Sequence, residues 1–314
     1  MERRRFGRTG MSVSRLVMGT MSFGGDADEA ESGRLYAAAR DAGINLFDCA
    51  NVYVDGRSEE ILGRLAKGHR NEVILTTKVG TGTGNSPRAI RQGIEASLTR
   101  LGTDRVEVFF LHKFDDQTPI EESLRALELL RREGKILHAA VSNWAAWQVA
   151  KGLGIAAARD WGLIDVLQPM YSLVKRQAEV ELLPMAAEED IAVMSYSPLG
   201  GGLLTGKYGD GASAGRILDN PMYGARYDVE WMRGAAVGLK RLGEEAGVHP
   251  ATLAVAWAAA HPGVTTPIIG ARSVEQLAPS LAAGEFALDE GLKARMDALS
   301  RRPAPATVRL VELA

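Results

Sequence analysis

The sequence predicts an α/β fold, a (β/α)8 TIM barrel with an N-terminal β-hairpin, in a single domain spanning residues 1–314. Three observations support this prediction. Eight short apolar runs of strand character alternate with segments of helical period. No linker or change of composition divides the chain, and its length of 314 residues is normal for such a barrel. Eight successive βα units favour one closed barrel over a doubly wound sheet.

The first predicted element is a small β-hairpin, because the runs 3–8 and 11–16 flank the turn residues Thr9 and Gly10. The alternation of strands and helices begins after it. The eight predicted barrel strands are Leu16–Met18, Asn45–Asp48, Val73–Lys78, Val106–Leu111, Ile136–Val141, Val166–Pro169, Ala192–Tyr196 and Thr266–Ile269.

Helix start signals lie between these strands. Ser58 followed by two glutamates predicts an N-cap with carboxylates at the positive end of the helix dipole. Ser86 precedes a proline at the first helical position. The segments 118–121 and 273–276 each match a capping box, and Gly134 predicts the end of the helix that the first of them begins.

Two segments stand outside this regular pattern. Residues 200–228 are irregular and rich in glycine, and loops of this length are usually functional or mobile. The chain from about residue 301 has the composition of a tail.

The charge of the chain argues against nucleic acid or a membrane surface as the main partner. The formal net charge is −2 and the isoelectric point is about 6.3, whereas both of those partners need a concentrated basic face. No apolar stretch is long enough to span a membrane, and no signal peptide is recognisable. We therefore expect a cytoplasmic protein that binds a small molecule, and its association into a homo-oligomer is left open.

Cysteine and histidine usage predicts no metal site. Cys49 is the single cysteine, so neither an intramolecular disulfide nor a thiolate cluster can form. Its apolar neighbours Phe47 and Ala50 predict a buried, unreactive thiol. The histidines outside the predicted strand ends show no metal-ligand spacing.

Four polar residues at or near predicted strand ends form the candidate catalytic group: Asp48, Tyr53, Lys78 and His112. In a barrel, the carboxyl ends of the strands carry the chemistry, so all four side chains are predicted to point into one mouth. Each also has a simpler interpretation, as a loop-capping aspartate, a surface lysine or a structural histidine. Their joint occurrence on strands two, three and four favours catalysis.

The chemistry explains why these groups belong together. A tyrosine hydroxyl has a pKa of about 10, and a nearby ammonium group such as Lys78 favours its ionised form and lowers that pKa. A lysine inside the barrel needs a charge partner, which Asp48 supplies, and His112 could hydrogen-bond a substrate oxygen. The set predicts proton transfer to a carbonyl oxygen. Reduction of that carbonyl would need one further component, a source of hydride.

At this point the chain resembles the aldo-keto reductase superfamily, nearly from end to end. The resemblance implies an NADPH-dependent (β/α)8 oxidoreductase in which Tyr53 is the general acid, Lys78 and Asp48 tune it, and His112 orients the carbonyl. Residues 198–207 are similar to the bacterial branch that also resembles potassium-channel β subunits. The matching segments are 17–20, 47–53, 56–63, 77–78, 111–112, 134–136, 141–143, 168–171, 195–208 and 268–272.

The resemblance also implies a set of NADP(H)-binding residues. Tyr196 would stack on the nicotinamide, and Leu199 and Gly201 would brace the pyrophosphate. Arg272 would grip the adenosine 2′-phosphate, a contact that suits a planar guanidinium. Ser142, Asn143 and Gln168 would hold the carboxamide, and the remaining expected cofactor contacts are Gly19, Thr20, Ser197, Gly270 and Gln276.

Some positions depart from the family pattern. Gln276 stands where the family often has arginine, and it also closes a capping box with Ser273. Pro279 and Ser280 replace the Glu-Asn pair that reads the adenine edge. We therefore expect modest adenine recognition.

The sequence predicts NADPH-dependent reduction of small aldehydes or ketones, and two alternatives remain open. An NADP(H)-binding, redox-sensing module would share the fold and the cofactor but turn over very slowly. A lysine-dependent aldolase would use Lys78 to form a Schiff base.

Overall fold

A computed structural model describes residues 1–208 and 215–307 and confirms the predicted barrel. Eight parallel strands form a closed barrel in the order in which they follow along the chain, and the last of them pairs with both the first and the seventh. The strands are β3 Val17–Gly19, β4 Leu46–Asp48, β5 Ile74–Val79, β6 Val106–Leu111, β7 Ile136–Ser142, β8 Ile164–Gln168, β9 Ala192–Ser195 and β10 Thr266–Ile269.

The predicted strand positions agree closely with these. The bounds of β6 and β10 are those predicted, and the other six strands differ by one or two residues at an end. The agreement is close because strands buried on both faces form continuous apolar runs, and these runs are visible in the sequence.

Helices surround the barrel. Most of them lie between consecutive strands, and the last two follow β10. They are α1 Glu29–Asp41, α2 Arg57–Ala66, α3 Pro87–Leu101, α4 Ile120–Arg132, α5 Ala146–Ala158, α6 Leu182–Glu188, α7 Arg216–Asp219, α8 Pro221–Tyr227, α9 Glu230–Ala246, α10 Pro250–Ala259, α11 Val274–Ala282 and α12 Glu290–Asp297.

The predicted hairpin is present, and it closes the end of the barrel at which the strands begin. It consists of antiparallel strands β1 Arg3–Arg5 and β2 Ser12–Ser14. Its side chains Phe6 and Val13 are fully buried in the same cluster as the inward-facing Val108 and Phe110 of β6. The hairpin therefore acts as a hydrophobic plug beneath the interior layers of the barrel.

Two predicted helix starts are wrong. Helix α2 begins at Arg57, and Ser58 lies inside its first turn with its hydroxyl donating to the Thr20 carbonyl at 2.7 Å. Helix α4 begins after Pro119, because the Thr118 hydroxyl donates to Asp115 and does not cap the helix. In both cases another partner, distant in sequence for Ser58 and local for Thr118, takes the hydroxyl that the sequence pattern assigned to a cap.

Two other helix starts agree with the sequence. Ser86 caps α3 through a bond from the Ala89 amide. Ser273 caps α11 by accepting from the Gln276 amide, while the Gln276 side chain accepts from the amide of Arg272. The second bond of the predicted capping box is thus shifted by one residue.

The segment 200–228, predicted as irregular, contains a 3-10 turn at Gly200–Thr205 and the short helices α7 and α8. Residues 301–307 of the predicted tail form no helix or strand. The other parts of these two predictions, residues 209–214 and 308–314, lie outside the described residues. Within the described part of the chain, no helix combines the length and the apolar character needed to cross a bilayer.

Close packing between α2 and α3 generates a stability prediction. A Cβ at Gly63 would overlap the backbone of Leu101, so Gly63→Ala should lower the free energy of unfolding by roughly 1–3 kcal/mol. Gly154, inside α5, has open space around it, and Gly154→Ala should raise stability by about 0.5–1 kcal/mol. Urea unfolding measures both variants. Equal effects at the two positions would contradict the close approach of the helices.

Candidate active site

Three neighbouring strands position the four predicted catalytic residues. Asp48 ends β4, Lys78 lies near the end of β5, and His112 directly follows β6. Tyr53 begins the turn that follows β4. Because β4, β5 and β6 are adjacent and parallel, their carboxyl ends meet at one mouth of the barrel. The structure therefore brings these four side chains together.

The centre of the site is a buried ion pair. The Lys78 ammonium lies 2.6 Å from Asp48 Oδ2. Lys78 is fully buried and Asp48 is only 2% exposed. The ammonium also donates to the Cys49 carbonyl at 2.7 Å. Each charge is thus paired and hydrogen-bonded, as burial of an ion requires.

The other carboxylate oxygen of Asp48 accepts two further bonds. Thr76 Oγ1 and Gln168 Nε2 each donate to Asp48 Oδ1 at 2.9 Å. Thr76 was not among the predicted site residues, although its spacing of two residues from Lys78 places both side chains on the same face of β5. The side chain of Gln168, which was predicted to hold the carboxamide, here donates a hydrogen bond to Asp48.

The surrounding charges keep Lys78 protonated. Burial works to lower the pKa of Lys78, but the Asp48 carboxylate and the Tyr53 phenol outweigh it and hold that pKa above its ordinary value. Lys78 is therefore a fixed cation at neutral pH.

Tyr53 lies beside this cation, with its hydroxyl 3.3 Å from Lys78 Nζ. Burial raises the pKa of Tyr53 to about 12, with Lys78 as the largest opposing influence. Lys78 lowers this pKa as predicted, but desolvation of the phenolate exceeds the attraction of the ammonium, so the net shift is upward. Tyr53 therefore carries its proton at neutral pH.

His112 completes the group as a neutral imidazole. Its ring centroid lies 6.2 Å from that of Tyr53, and the two rings are nearly perpendicular. Burial, together with the charge of Lys78, lowers the pKa of His112 to about 4. Its Nδ1 is buried and has no hydrogen-bond partner among the described residues.

The turn after Tyr53 has an unusual backbone. Val54, Asp55 and Gly56 have φ angles of 49°, 52° and 89°, all in the left-handed region. Such a conformation is strongly disfavoured for a β-branched residue such as Val54 and costs on the order of 1–3 kcal/mol per non-glycine residue. The surrounding contacts must therefore hold this turn in place.

A second series of hydrogen bonds links polar residues at the ends of the neighbouring strands. Tyr196 donates to Asn143 Oδ1 at 2.8 Å, and Asn143 Nδ2 donates to the His112 carbonyl at 2.9 Å. Ser142 Oγ donates to the Gln168 carbonyl at 2.9 Å. The structure thus gathers the residues predicted to hold the nicotinamide beside His112.

Two glycines lie where β3 meets β10. Gly19 ends β3, with the Ile268 side chain so close that a Cβ on Gly19 would lie 2.8 Å from it, and Gly270 directly follows β10, whose Ile269 pairs with Met18. A Cβ at Gly270 would approach the Gly19 carbonyl at 3.3 Å. The glycine backbone at Gly270, two residues before Arg272 and close to the N-terminus of α11, fits close approach of an anionic dinucleotide.

The predicted cofactor residue Thr20 has a structural contact. It is fully buried, and its hydroxyl donates to the Asp48 carbonyl at 3.0 Å. Gly201, with a φ of 66°, is explained by packing, because a Cβ there would lie 2.8 Å from the Tyr223 ring. Ser197 also has a left-handed backbone, and Leu199 is half-buried beside it.

Arg272 is half exposed and pairs with a residue that was not predicted as part of the site. Its Nε lies 2.9 Å from Asp26 Oδ2, and Arg216 approaches the same oxygen at 3.5 Å. Asp26 lies in the loop between β3 and α1, far from Arg272 in sequence, so no local pattern could reveal the pair.

Apolar side chains lie in the segments that follow the barrel strands. Met21, Val52 and Met222 are exposed by 43%, 38% and 50%. Trp144 is buried, and Phe114 packs edge-on against it with ring centroids 5.1 Å apart. This setting suits a substrate with an apolar body.

Cys49 and the metal-ligating residue types add no further chemistry within the described residues. Cys49 is fully buried, and burial raises the pKa of its thiol to about 12, in agreement with an unreactive thiol. In residues 1–208 and 215–307, no group of three or more His, Cys, Asp or Glu side chains could hold a metal ion.

Comparison with known proteins gives the family of this barrel. A sequence profile described as the Aldo/keto reductase family matches residues 15–301. The chain belongs to the aldo/keto reductase family. It is 38% identical to an uncharacterized oxidoreductase, YrpG, of Bacillus subtilis, an alignment that covers 92% of this chain and 93% of the relative.

Two other relatives illustrate the breadth of the family. A probable voltage-gated potassium channel subunit beta of Oryza sativa is 36% identical, over 90% of this chain and 91% of the relative. Human aldo-keto reductase family 7 member A3 is also 36% identical, over 86% and 88% of the two chains. The chain is therefore an oxidoreductase of a family that uses a nicotinamide cofactor and acts on small carbonyl compounds.

The depressed pKa of His112 generates a prediction for stability against pH. Between pH values of about 6.5 and about 4, the unfolded chain binds a proton that the folded protein excludes. The free energy of unfolding should therefore fall as the pH drops through this window, by an amount on the order of 2–3 kcal/mol from His112. His112→Asn should flatten this part of the curve in urea titrations. An unchanged slope in the variant would contradict the assignment.

Proposed function

We propose that the protein reduces small aldehydes or ketones to alcohols with NADPH, and that Tyr53 donates the proton. The observation that carries this proposal is the position of the Tyr53 hydroxyl, 3.3 Å from an ammonium group that is itself buried and paired with Asp48. A neutral donor beside a fixed cation is suited to give up a proton as negative charge develops on a carbonyl oxygen.

Each residue has a distinct part in this proposal. Tyr53 gives its proton to the carbonyl oxygen, and Lys78 stabilises the phenolate that remains. Asp48 holds the ammonium in place and keeps it charged. His112, neutral at physiological pH, can donate a ring N–H to the same carbonyl oxygen and orient it.

The reduced nicotinamide, when bound, supplies the hydride. The residues proposed to hold the dinucleotide fit this group, because amide side chains lie beside His112 and the glycine backbone of Gly270 lies where β10 ends. The amide oxygens of Asn143 and Gln168 can each accept a further hydrogen bond from the carboxamide. Tyr196 offers its ring, and Gly270 leads to Arg272 and the N-terminus of α11.

Two alternatives make different demands on this site. A Schiff-base aldolase needs an unprotonated lysine, whereas the charges around Lys78 raise its pKa, so we do not favour that reaction. A redox-sensing module has the same groups, and the relative named a probable potassium channel subunit beta makes it the second candidate. Steady-state oxidation of NADPH with a panel of aldehydes separates it from a reductase.

The role of Tyr53 generates a catalytic prediction. Tyr53→Phe should reduce carbonyl reduction by about 10²–10⁴-fold, because the variant removes the proton donor and keeps the ring. Binding of NADPH, measured by quenching of tryptophan fluorescence, should stay close to that of the wild type. Turnover at the wild-type rate would refute the role of Tyr53, and very slow turnover of the wild type itself would favour the redox-sensing module.

The cofactor preference generates a prediction about Arg272 and Asp26. A guanidinium beside a helix N-terminus favours a phosphate dianion, so we propose a preference for NADPH over NADH. Arg272→Ala should weaken NADPH binding by about 10- to 150-fold, the loss of one charged hydrogen bond, and weaken NADH binding little.

Asp26→Asn serves as the opposite variant. It removes the carboxylate that competes for Arg272, so it should tighten NADPH binding and leave NADH binding unchanged. Fluorescence titrations with both cofactors measure these differences. Equal weakening of NADPH and NADH by Arg272→Ala would show that Arg272 does not contact the 2′-phosphate.

A further inference from the structure

A buried carboxylate outside the catalytic group links two parts of the site. Glu59, in the first turn of α2, is fully buried. Its Oε1 accepts a 2.5 Å bond from the hydroxyl of Thr77, and its Oε2 accepts a 2.6 Å bond from Arg100 Nε on α3. Glu59 therefore connects helix α2 to strand β5 and to helix α3.

The positions of these partners matter for catalysis. Thr77 is the residue directly before Lys78, and its side chain points out of the barrel while that of Lys78 points in. Glu59 follows Tyr53 by six residues, across a single turn. One carboxylate thus ties the turn that carries the proton donor to the strand that carries the ammonium.

We propose that Glu59 and Thr77 are positioning residues that hold the Tyr53 hydroxyl beside the Lys78 ammonium. This proposal rests on the proposed function of Tyr53 as proton donor. Proton transfer depends steeply on geometry, and a displacement of about 1 Å can cost on the order of 100-fold in rate. A side chain that touches no reacting atom can therefore control the rate through Tyr53.

The backbone of the Tyr53 turn explains why such a clamp is needed. Three successive residues, 54–56, are left-handed, and a non-glycine backbone leaves this conformation unless its surroundings hold it. Arg100 packs over the turn, since a Cβ at Gly56 would lie 2.7 Å from Arg100 Nε. Glu59 fixes the Arg100 guanidinium in that place.

The opposite side of the turn is held independently. Ser58 Oγ donates to the Thr20 carbonyl at 2.7 Å, which attaches the start of α2 to the end of β3. Neighbouring residues of α2 are thus tied to the strands on both sides of β4. If the Glu59 attachment is lost, the Ser58 bond should still hold the start of the helix, and the side next to Lys78 should be freed.

The test uses a matched pair at Thr77. Thr77→Val removes the hydroxyl with little change of volume, and Thr77→Ser keeps it. Glu59→Gln and the exposed neighbour Glu60→Gln form a second pair. Each variant is made in the wild-type and in the Tyr53→Phe background. The values of kcat and KM are measured with 4-nitrobenzaldehyde as substrate, and NADPH affinity is measured by quenching of tryptophan fluorescence.

We expect Thr77→Val and Glu59→Gln to lower kcat by roughly 10- to 100-fold. NADPH affinity should stay within about twofold, and Thr77→Ser and Glu60→Gln should resemble the wild type. In the Tyr53→Phe background, Thr77→Val should change the residual rate by less than about twofold, because the group it acts through is gone. An equal loss in both backgrounds, or a wild-type kcat in Thr77→Val, would overturn the proposal.

A measurement without turnover separates this proposal from the proposed function. NMR of isotope-labelled tyrosine reports the surroundings of the Tyr53 ring, and its signal is identified by its loss in Tyr53→Phe. The signal should move in Thr77→Val and stay in Thr77→Ser. If the wild type reduces no aldehyde, the proposed function fails, yet this shift still supports the clamp. An unmoved signal in Thr77→Val refutes it.

Discussion

The buried ion pair between Lys78 and Asp48 is the interaction on which the site depends. Neither charge could remain in the barrel alone, because an unpaired buried ion costs several kcal/mol. The pair also acts on its neighbours: the Asp48 charge keeps Lys78 protonated, and the Lys78 charge adds to the burial that keeps His112 neutral. Thr76 and Gln168 support the carboxylate from β5 and β8, which extends this dependence across the barrel.

Much of the fold could be predicted from the sequence because the barrel strands are short, apolar and regularly spaced. The order Asp48, Tyr53, Lys78, His112 on consecutive strands was also visible, since parallel strands bring their carboxyl ends together. Long-range partners could not be read in this way. Asp26 reaches Arg272 across most of the chain, and Ser58 gives its hydroxyl to Thr20 where the local pattern indicates a cap.

The ionisation of Tyr53 shows a different limit of sequence reasoning. The identity of its charged neighbour was predictable, but the sign of the net shift was not, because it depends on how far water is excluded. Burial of the phenolate outweighs the attraction of Lys78 and raises the pKa of Tyr53 to about 12. A sequence identifies which groups meet, whereas the balance between their charge and their desolvation requires coordinates.

The N-terminal hairpin fills the end of the barrel opposite the mouth that holds the site. Phe6 and Val13 fill the lower end, and apolar side chains such as Val108 and Phe110 occupy the layers above them. In the described part of the chain, the Lys78 ammonium thus has apolar side chains below it and the barrel mouth above it. We therefore expect proton exchange between the ammonium and bulk water on the mouth side, where the Tyr53 hydroxyl lies 3.3 Å away. A molecule bound in the mouth would separate both the ammonium and the phenol from solvent. Neither group could then exchange its proton with bulk water until that molecule left.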